Sequence, residues 1–468
     1  MKNRVCILVS LLLLFAGLAG LNWLYHMNEK REESGAEQAV FWEPLSEQEL
    51  EGSKTGNFET ELPVLYIDTG AARISKESRV LCTAAMKAAS EVPKPVSGMP
   101  DEVTYAAIKY RGATSYTNFD KKQYRIKFYQ DKELTKKKEI GLFGMAKDSE
   151  WVLNGPFLDK TLMRNKLAYD VSREIMEWAP DTRYCELFLN GEYQGVYLAT
   201  EPVTDGGGRL GLSRFGLLSG KTAFIVKRER EGTEEVLVNS YGTVTGRTFN
   251  KLYLQYPSAA KVTERELSWV TRRISDFERA LYGENFAQKG GYRKYIETDS
   301  FVDYYIINEV FMNIDGGSLS TYIYEELDGR MRLAVWDFNN AMDNYQGNRT
   351  YTDMFVVKQN PWFDRLLQDP AFAARVVERY FELREGALGE EHMLGLLRQY
   401  QEELGDAVRR NDMVWGYSYD LELLKDFGFD FTDRNARSYE EACRQMEETL
   451  HERLVFLDEH ITDLQLPQ

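Results

Sequence analysis

The sequence predicts a bilobal α+β protein, with a strand-rich first lobe and a mainly helical second lobe. Three observations lead there. Two runs of strand-like residues turn at Asn190-Gly191 and Asp328-Gly329, pairs that tolerate left-handed backbone in a two-residue hairpin loop. The pattern passes from strands to helices between Ala259 and Glu264. No repeating strand-helix-strand rhythm of a parallel sheet occurs, which leaves the α+β class. A chain of 468 residues with 43% apolar content is also long enough to bury a large core.

Taken from the N-terminus, Lys2 and Arg4 precede an uncharged run from Val5 to Tyr25. About twenty apolar residues cross a bilayer as a helix. Residues 1–27 are therefore expected to be a signal or anchor segment, with the globular part outside the cytoplasm. An uncleaved anchor is favoured; cleavage within Ala16-Gly17-Leu18-Ala19-Gly20, which would release a secreted form, is the alternative. Residues 28–58 are charged and rich in Glu, Gly and Ser, as a linker is. The strand-rich lobe is placed at 59–262 and the helical lobe at 263–468, the latter with a hairpin at 313–345 and a helical tail.

Within the first lobe, Met163, Leu167, Val171 and Ile175 recur every four positions after Asp159, which predicts an amphipathic helix capped by that aspartate. Arg164 falls inside the apolar stripe and needs an anionic partner there. A buried salt bridge and a phosphate or active-site role both satisfy it. In the second lobe, Ser300 to Ile314 is apolar nearly all round, which predicts a central buried helix with Ser300 as N-cap and Asp303 in the reciprocal capping position. It delivers the chain to Asp315.

Composition removes several function classes. With 74 acidic against 58 basic residues the net charge is -16, which opposes nucleic-acid binding. Cys6, Cys82, Cys185 and Cys443 include no CxxC spacing, so neither a disulfide framework nor a zinc knuckle fits. The four histidines lie outside every motif, against a serine hydrolase triad. Chemistry here must run on carboxylates and cations.

A two-residue turn at Asp328-Gly329 pairs residues whose numbers sum to 657, so Leu333 faces Tyr324, Val335 faces Tyr322 and Ser320 faces Asp337. Asp337 then returns beside the loop that begins at Asp315, and two carboxylates held together need a cation or a proton. Phosphoryl transfer in protein kinases uses such a pair, one Asp as base and a later one as magnesium ligand. The position where kinases carry a metal-binding Asn is Ser320, a weaker ligand. Solvated carboxylates at a hairpin end are the plain alternative. Upstream, Arg111 opens the Arg111-Gly112-Ala113 stretch, and Arg125 and Lys127 share the strand face opposite Tyr124, Ile126 and Phe128. These cations either line a cleft and meet phosphates or remain solvated. Gly206 to Gly208 precedes no helix and is expected to be a loop. Polysaccharide hydrolysis by a carboxylate pair is a further class, but the eight Trp form no evident sugar-stacking row.

Four ordered blocks carry a family resemblance: "RGATSYTNFDKKQYRIKF" from Arg111, "WVLNGPFLDKTLMRNKLAYDV" from Trp151, "LFLNGEYQGVYLATEPV" from Leu187, and "NEVFMNIDGG…TYIYEELDGRMRLAVWDFNNAM" from Asn308. They resemble the spore coat protein H (CotH) family of atypical kinase-like proteins over about residues 60–350, and Asn411-Asp412-Met413-Val414-Trp415 in the tail is similar too. The resemblance implies an atypical protein-kinase-like fold, ATP with Mg2+ or Mn2+ as cofactors, and serine phosphorylation of coat proteins. By position it implies Asp315 as catalytic base, Asp337 as metal ligand, Lys127 as the nucleotide-phosphate lysine and Glu201 at the place of a kinase hinge. Arg164 and Asn165 match the helix that corresponds to a regulatory kinase helix. Ser320 and Asn339 stand where relatives carry stronger metal ligands, which leaves capacity for one ion rather than two, or for nucleotide held without efficient turnover. The expected partners are a coat or surface protein substrate and a nucleotide, with membrane contact through the N-terminal segment alone. A non-catalytic coat scaffold on the same fold is the competing expectation.

Overall fold

The structure is a computed structural model that describes residues 57–466 except 71, 214–219, 233, 345–348 and 421–434. The expected leader at 1–27 and nearly all of the linker lie outside the described residues. Among the described residues no helix is long and apolar enough to cross a membrane. The described part belongs to one compact unit, Glu51–Gln468.

Its first half is a closed barrel of seven strands: β1 (Val64–Asp68), β2 (Val80–Lys87), β3 (Glu102–Arg111), β4 (Gln123–Tyr129), β5 (Glu150–Asn154), β6 (Thr182–Leu189) and β7 (Glu192–Thr200). The order around it is β1-β2-β3-β4-β5-β7-β6, and β6 returns parallel to β1 to close it. Period-two alternation fills the interior. Ile67, Ala84, Ala106, Ile126, Phe128, Trp151, Leu187 and Tyr197 are buried together, so Tyr124, Ile126 and Phe128 point inward and Arg125 and Lys127 outward.

The β6-β7 hairpin turns at Asn190 (φ 52°) and Gly191 (φ 82°) between the paired Leu189 and Glu192. A bulge shifts the register between the pairs Phe188–Tyr193 and Glu186–Val196, where Gly195 (φ 82°) sits. A Cβ there would lie 2.7 Å from Asn411 Oδ1 and 3.0 Å from Trp415 Nε1, so only glycine admits the tail helix so close. Asn411 Oδ1 then accepts from Val196 N at 3.2 Å and from the buried Lys121 Nζ at 2.7 Å.

The helix α1 (Arg164–Ile175) follows the expected periodicity but starts at Arg164, not after Asp159. Asp159 still accepts the Arg164 backbone N–H at 3.0 Å, reaching it across a tight turn. Beyond the barrel, β8 (Phe224–Glu229), β9 (Leu237–Val238), β10 (Lys251–Tyr256), β11 (Thr321–Glu325) and β12 (Arg332–Ala334) form a five-stranded sheet ordered β9-β10-β8-β11-β12. One sheet thus joins strands from both sides of the expected lobe boundary at 262/263.

Helices make up most of the remainder. α2 (Glu264–Tyr282) opens with a capping box in which Thr263 accepts from Glu266 N and Glu266 Oε2 accepts from Thr263 N. In α3 (Thr298–Val310) every residue from Phe301 to Val310 is buried, as an all-round apolar pattern requires. It packs against β12, α4 (Pro370–Arg384) and α7 (Tyr439–His460), with α5 (Glu390–Leu404) and α6 (Ala407–Trp415) between the latter two in sequence. The expected capping of α3 is not what forms. Ser300 lies inside the helix and its Oγ accepts from Leu333 N at 3.1 Å, while Asp303 pairs with Arg379 at 2.8 Å. These polar groups serve the neighbouring strand and helix instead. The chain is an α+β protein built on a seven-stranded barrel and a helix-covered five-stranded sheet.

Candidate functional site

The hairpin β11-β12 pairs Tyr322 with Ala334, Ile323 with Leu333 and Tyr324 with Arg332, a sum of 656 rather than 657. The connection therefore contains an odd number of residues. Asp328 is left-handed (φ 61°) while Gly329, which is not, donates its N–H to Glu326 O at 2.9 Å. With this register Trp336 falls on the face of Tyr322, and their rings stand 6.0 Å apart. Ladder geometry alone no longer sets Asp337 opposite Ser320.

They meet nonetheless, because both have left the ladder. Ser320 (φ 46°) and Asp337 (φ 67°) adopt left-handed backbone, and Ser320 Oγ donates to Asp337 Oδ2 at 3.2 Å. Among the described residues, six of the eleven non-glycine residues with positive φ fall between Met312 and Asp343. Backbone strain gathers where surrounding structure holds it, and such places are frequently functional sites.

The holding groups can be named. For the segment after Trp336, α1 supplies three side chains. Tyr169 Oη accepts from Asp337 N at 3.0 Å, Asn165 Oδ1 accepts from Phe338 N at 2.8 Å, and Arg164 Nε donates to Ala341 O at 3.1 Å. For the loop at Asp315, Asn360 Nδ2 donates to Ile314 O at 3.1 Å and Gly316 O at 2.6 Å, while Gly317 N donates to Tyr304 Oη at 3.1 Å. A Cβ on Gly316 would overlap the Asn308 side chain at 2.5 Å, so that glycine is required by close approach.

Asp315 and Asp337 act on each other. Burial, and after it the charge of Asp337, pushes the Asp315 carboxyl up to about 6, with Arg230 and a hydrogen bond from Asn340 opposing the rise. Asn340 Oδ1 in turn accepts from Asn339 Nδ2 at 3.1 Å, so Asn339 reaches Asp315 only through its neighbour. A third carboxylate comes from β8: Ser320 Oγ is 3.4 Å from Glu229 Oε2 as well, and Glu229 pairs with Lys227 at 2.8 Å. Burial works to raise the Glu229 carboxyl, but Lys227 outweighs it and the group lies below the usual range.

The cations expected at the site divide into two groups. Arg111 lies over the Trp336 ring, 5.4 Å from its centre, and donates to Gln123. Arg125 and Lys127 lie on the outer barrel face, 2.7 Å and 3.5 Å from the Glu150 carboxylate, which Arg79 also engages. Although burial opposes it, Arg125, Arg79 and Lys127 together hold Glu150 down to about 2. Tyr322 lies between this side and the acids: the Lys227 ammonium is 5.8 Å from its ring centre, and its ring stands 6.0 Å from the Trp336 ring that Arg111 covers.

Two expected residues are engaged elsewhere. Arg164 is buried and forms the salt bridge open to it in sequence, 2.7 Å from Asp159 Oδ1; with its bond to Ala341 O it braces the loop after Asp337. Glu201 is buried, pairs with Arg209 at 2.6 Å and accepts from Asp181 N at 3.2 Å; burial raises its carboxyl despite the arginine. Sequence reasoning missed Glu229, Lys227, Asn340 and Tyr169. The one available signal was that Lys227 and Glu229 share a strand face at i, i+2.

Carboxylate and hydroxyl oxygens from Asp337, Ser320, Glu229 and Asp315 are the donor chemistry a hard divalent cation takes. Among the described residues no group of three His, Cys, Asp or Glu is already gathered as a metal cage. Mg2+ is commonly held by one or two carboxylates with waters and phosphates completing its shell, so the residues fit such an ion.

A strand barrel joined to a helix-covered sheet, with Asp315 and Asp337 at the open end of a hairpin, presents a carboxylate-centred candidate site. The family model described as CotH kinase protein matches residues 108–457, and the chain belongs to that family. It is also similar to the inner spore coat protein H of Bacillus subtilis (strain 168), 36% identical over 98 residues, which is 21% of this chain. The match spans about a quarter, 24%, of that relative's length.

Proposed function

We propose that this protein is an atypical serine/threonine kinase of CotH type, with a bilobal kinase-like arrangement of barrel and helical part, that phosphorylates exported or coat proteins using ATP and Mg2+ or Mn2+. The observation that carries this reading is the raised Asp315 carboxyl, pushed up to about 6 beside Asp337. A base near the operating pH is suited to take the proton of an acceptor hydroxyl. Asp315 receives that proton as the acceptor oxygen bonds to the terminal phosphorus of ATP and the bond from that phosphorus to ADP breaks, ADP leaving; Asp337, aided by Ser320, would supply oxygens to hold the cation. A bound Mg2+ or Mn2+ neutralises charge on the phosphate oxygens during transfer. Lys127 and Arg125, from the outer barrel face, screen the phosphate chain, with Arg111 and Trp336 at the near edge. Glu201 keeps the end of β7 in place through Arg209, at the position of a kinase hinge. The printed name of the Bacillus relative and the apolar leader support an exported, coat-associated address, with residues 1–27 as anchor or cleaved signal.

A second reading is a nucleotide-binding or wholly non-catalytic coat scaffold. It is favoured by Ser320 and Asn339, whose side chains give a cation less than the acids and amides of active kinases do. Manganese-dependent autophosphorylation of the purified protein decides between them. The kinase reading expects incorporation of phosphate that Asp315→Ala reduces by at least ~100-fold; activity unchanged in that variant removes Asp315 from catalysis. Absence of any metal-dependent ATP binding by calorimetry leaves the scaffold.

A further inference from the structure

We infer that Lys227, a lysine to which the family resemblance gives no role, binds the phosphate chain of the metal-bound nucleotide, and that Glu229 is the counter-ion that stores it until ligand arrives. The inference rests on the nucleotide site proposed above and adds a residue to it.

Lys227 lies on the central strand β8, opposite Tyr322 of β11. Two residues on, Glu229 shares its face and reaches the point where the hairpin begins. Lys227 Nζ is 2.8 Å from Glu229 Oε2 and 3.7 Å from Glu234, and it lies over the Tyr322 ring, 5.8 Å from its centre. Glu229 Oε2 is in turn 3.4 Å from Ser320 Oγ, whose other partner is Asp337 Oδ2 at 3.2 Å. The ammonium is therefore three polar contacts, through Glu229 and Ser320, from Asp337, the proposed metal ligand. Lys127, by contrast, shares the Glu150 carboxylate with Arg79 and Arg125 on the barrel.

Charge explains why the pair is arranged so. Without ligand, Glu229 near Asp315 and Asp337 would be a third anion in one small space, and Lys227 neutralises it. A divalent cation arriving with a polyphosphate reverses the balance: carboxylate oxygens turn to the metal, and the lysine loses its partner as phosphate oxygens appear. A compact ammonium on a flexible stem can follow that change by rotation, where a guanidinium locked in a bidentate pair cannot. The side chain is only 13% exposed, so it is already desolvated and its interaction with phosphate is strong.

Titration calorimetry on the full chain, with ATP plus Mn2+, inorganic triphosphate plus Mn2+, and Mn2+ alone, tests this. Because Lys227→Met leaves Glu229 with only the more distant Arg230, 3.8 Å away, as a cation, the double variant Lys227→Met/Glu229→Gln and the charge-conserving Lys227→Arg are measured beside it. The expected result is ~10- to 100-fold weaker binding of both phosphate ligands in the two Met variants, with Lys227→Arg, which keeps the charge but not the freedom of the ammonium, between them and wild type. Lys227→Met itself should bind Mn2+ alone as well as wild type or better, since Glu229 is released. Unchanged phosphate affinity in both Met variants, while Asp337→Asn has lost it, overturns the role of Lys227 and leaves the nucleotide site standing. An equal loss for Mn2+ alone in Lys227→Met overturns it as well. A wild-type protein that binds neither phosphate ligand removes both this inference and the site it rests on.

Discussion

Two hairpins in this molecule turn on an X-Gly pair, and they spend their backbone strain differently. In β6-β7 the left-handed residues Asn190 and Gly191 sit at the tip, where the turn needs them, and the bulge a few residues in from the tip has a glycine. In β11-β12 the tip uses one left-handed residue, Asp328, while two more, Ser320 and Asp337, occur at the open end. The first hairpin is a structural wall, closing the barrel and receiving the tail helix. The second ends in polar side chains that the surrounding residues hold in unfavourable backbone. Strain at a tip belongs to the turn; strain at the open end of a ladder marks the site.

The sharpest break in this contrast is expected at Asp337. Asp337→Asn keeps the volume and the Tyr169 bond to its backbone N–H, so the fold should survive, while manganese-dependent ATP binding should fall by at least ~100-fold. Calorimetry on the folded variant measures it. If affinity survives, the strained end of the hairpin is not where the metal binds.

Asp315 offers a test without ligand. Its carboxyl is raised to about 6 from the ordinary aspartate value of 3.8, chiefly by burial and then by Asp337, so the ionised form is disfavoured in the folded protein. Between those two values the unfolded chain has released its proton and the folded chain retains it, so stability falls as pH rises through that window and the full penalty is present at pH 7. Asp315→Asn should therefore unfold at higher temperature than wild type at pH 7, and the gap should close on acidification to about pH 4. Thermal melts across pH provide the check. A wild type as stable as the variant at pH 7 would mean that burial and Asp337 do not hold the Asp315 carboxyl up.

How much of this was legible in sequence differs between the same two hairpins. Asn190-Gly191 allowed the tip to be read, because two left-handed residues leave one loop length, while the bulge that shifts the register at Gly195 left no sign. Asp328-Gly329 was a correct turn with the wrong register, since Asp328 alone turned left-handed and one residue was added to the loop. The contact between Ser320 and Asp337 was still anticipated, though ladder extrapolation was not the reason it forms. Helix α3 was evident from its apolar circumference, but Ser300 looked like a cap because sequence cannot show that Leu333 N would need its hydroxyl. Arg164 was recognisable as buried and paired, and only the fold reveals that it braces the loop after Asp337. Lys227 and Glu229 were invisible for a different reason: charges two apart on a strand read as a wet face unless the facing barrel is known.

A smaller effect should come from the structural hairpin. Gly191→Ala places a Cβ in open space, so its penalty is conformational alone, about 1–2 kcal/mol for a left-handed residue that is not glycine. Denaturant unfolding should register that loss, and ATP affinity with Mn2+ should be unchanged. A matching loss of affinity would mean that the barrel hairpin, too, supports the site directly.

The smallest change separates strain from chemistry. Ser320 has φ 46° and its hydroxyl touches both Asp337 and Glu229. Ser320→Gly relieves the backbone penalty of a left-handed non-glycine residue while deleting one oxygen donor. Stability and affinity should move in opposite directions, with a melting temperature equal to or slightly above wild type and Mn2+ affinity lower by a few-fold, since a hydroxyl is a weak ligand beside carboxylates. Paired thermal melts and manganese titrations measure both. If stability rises and affinity does not fall, the left-handed backbone at Ser320 serves only to connect the loop to β11, and the oxygen set narrows to the carboxylates. If both fall, the hydroxyl is holding Asp337 and Glu229 apart in the ligand-free protein, which makes it part of the mechanism that keeps three acids in one place.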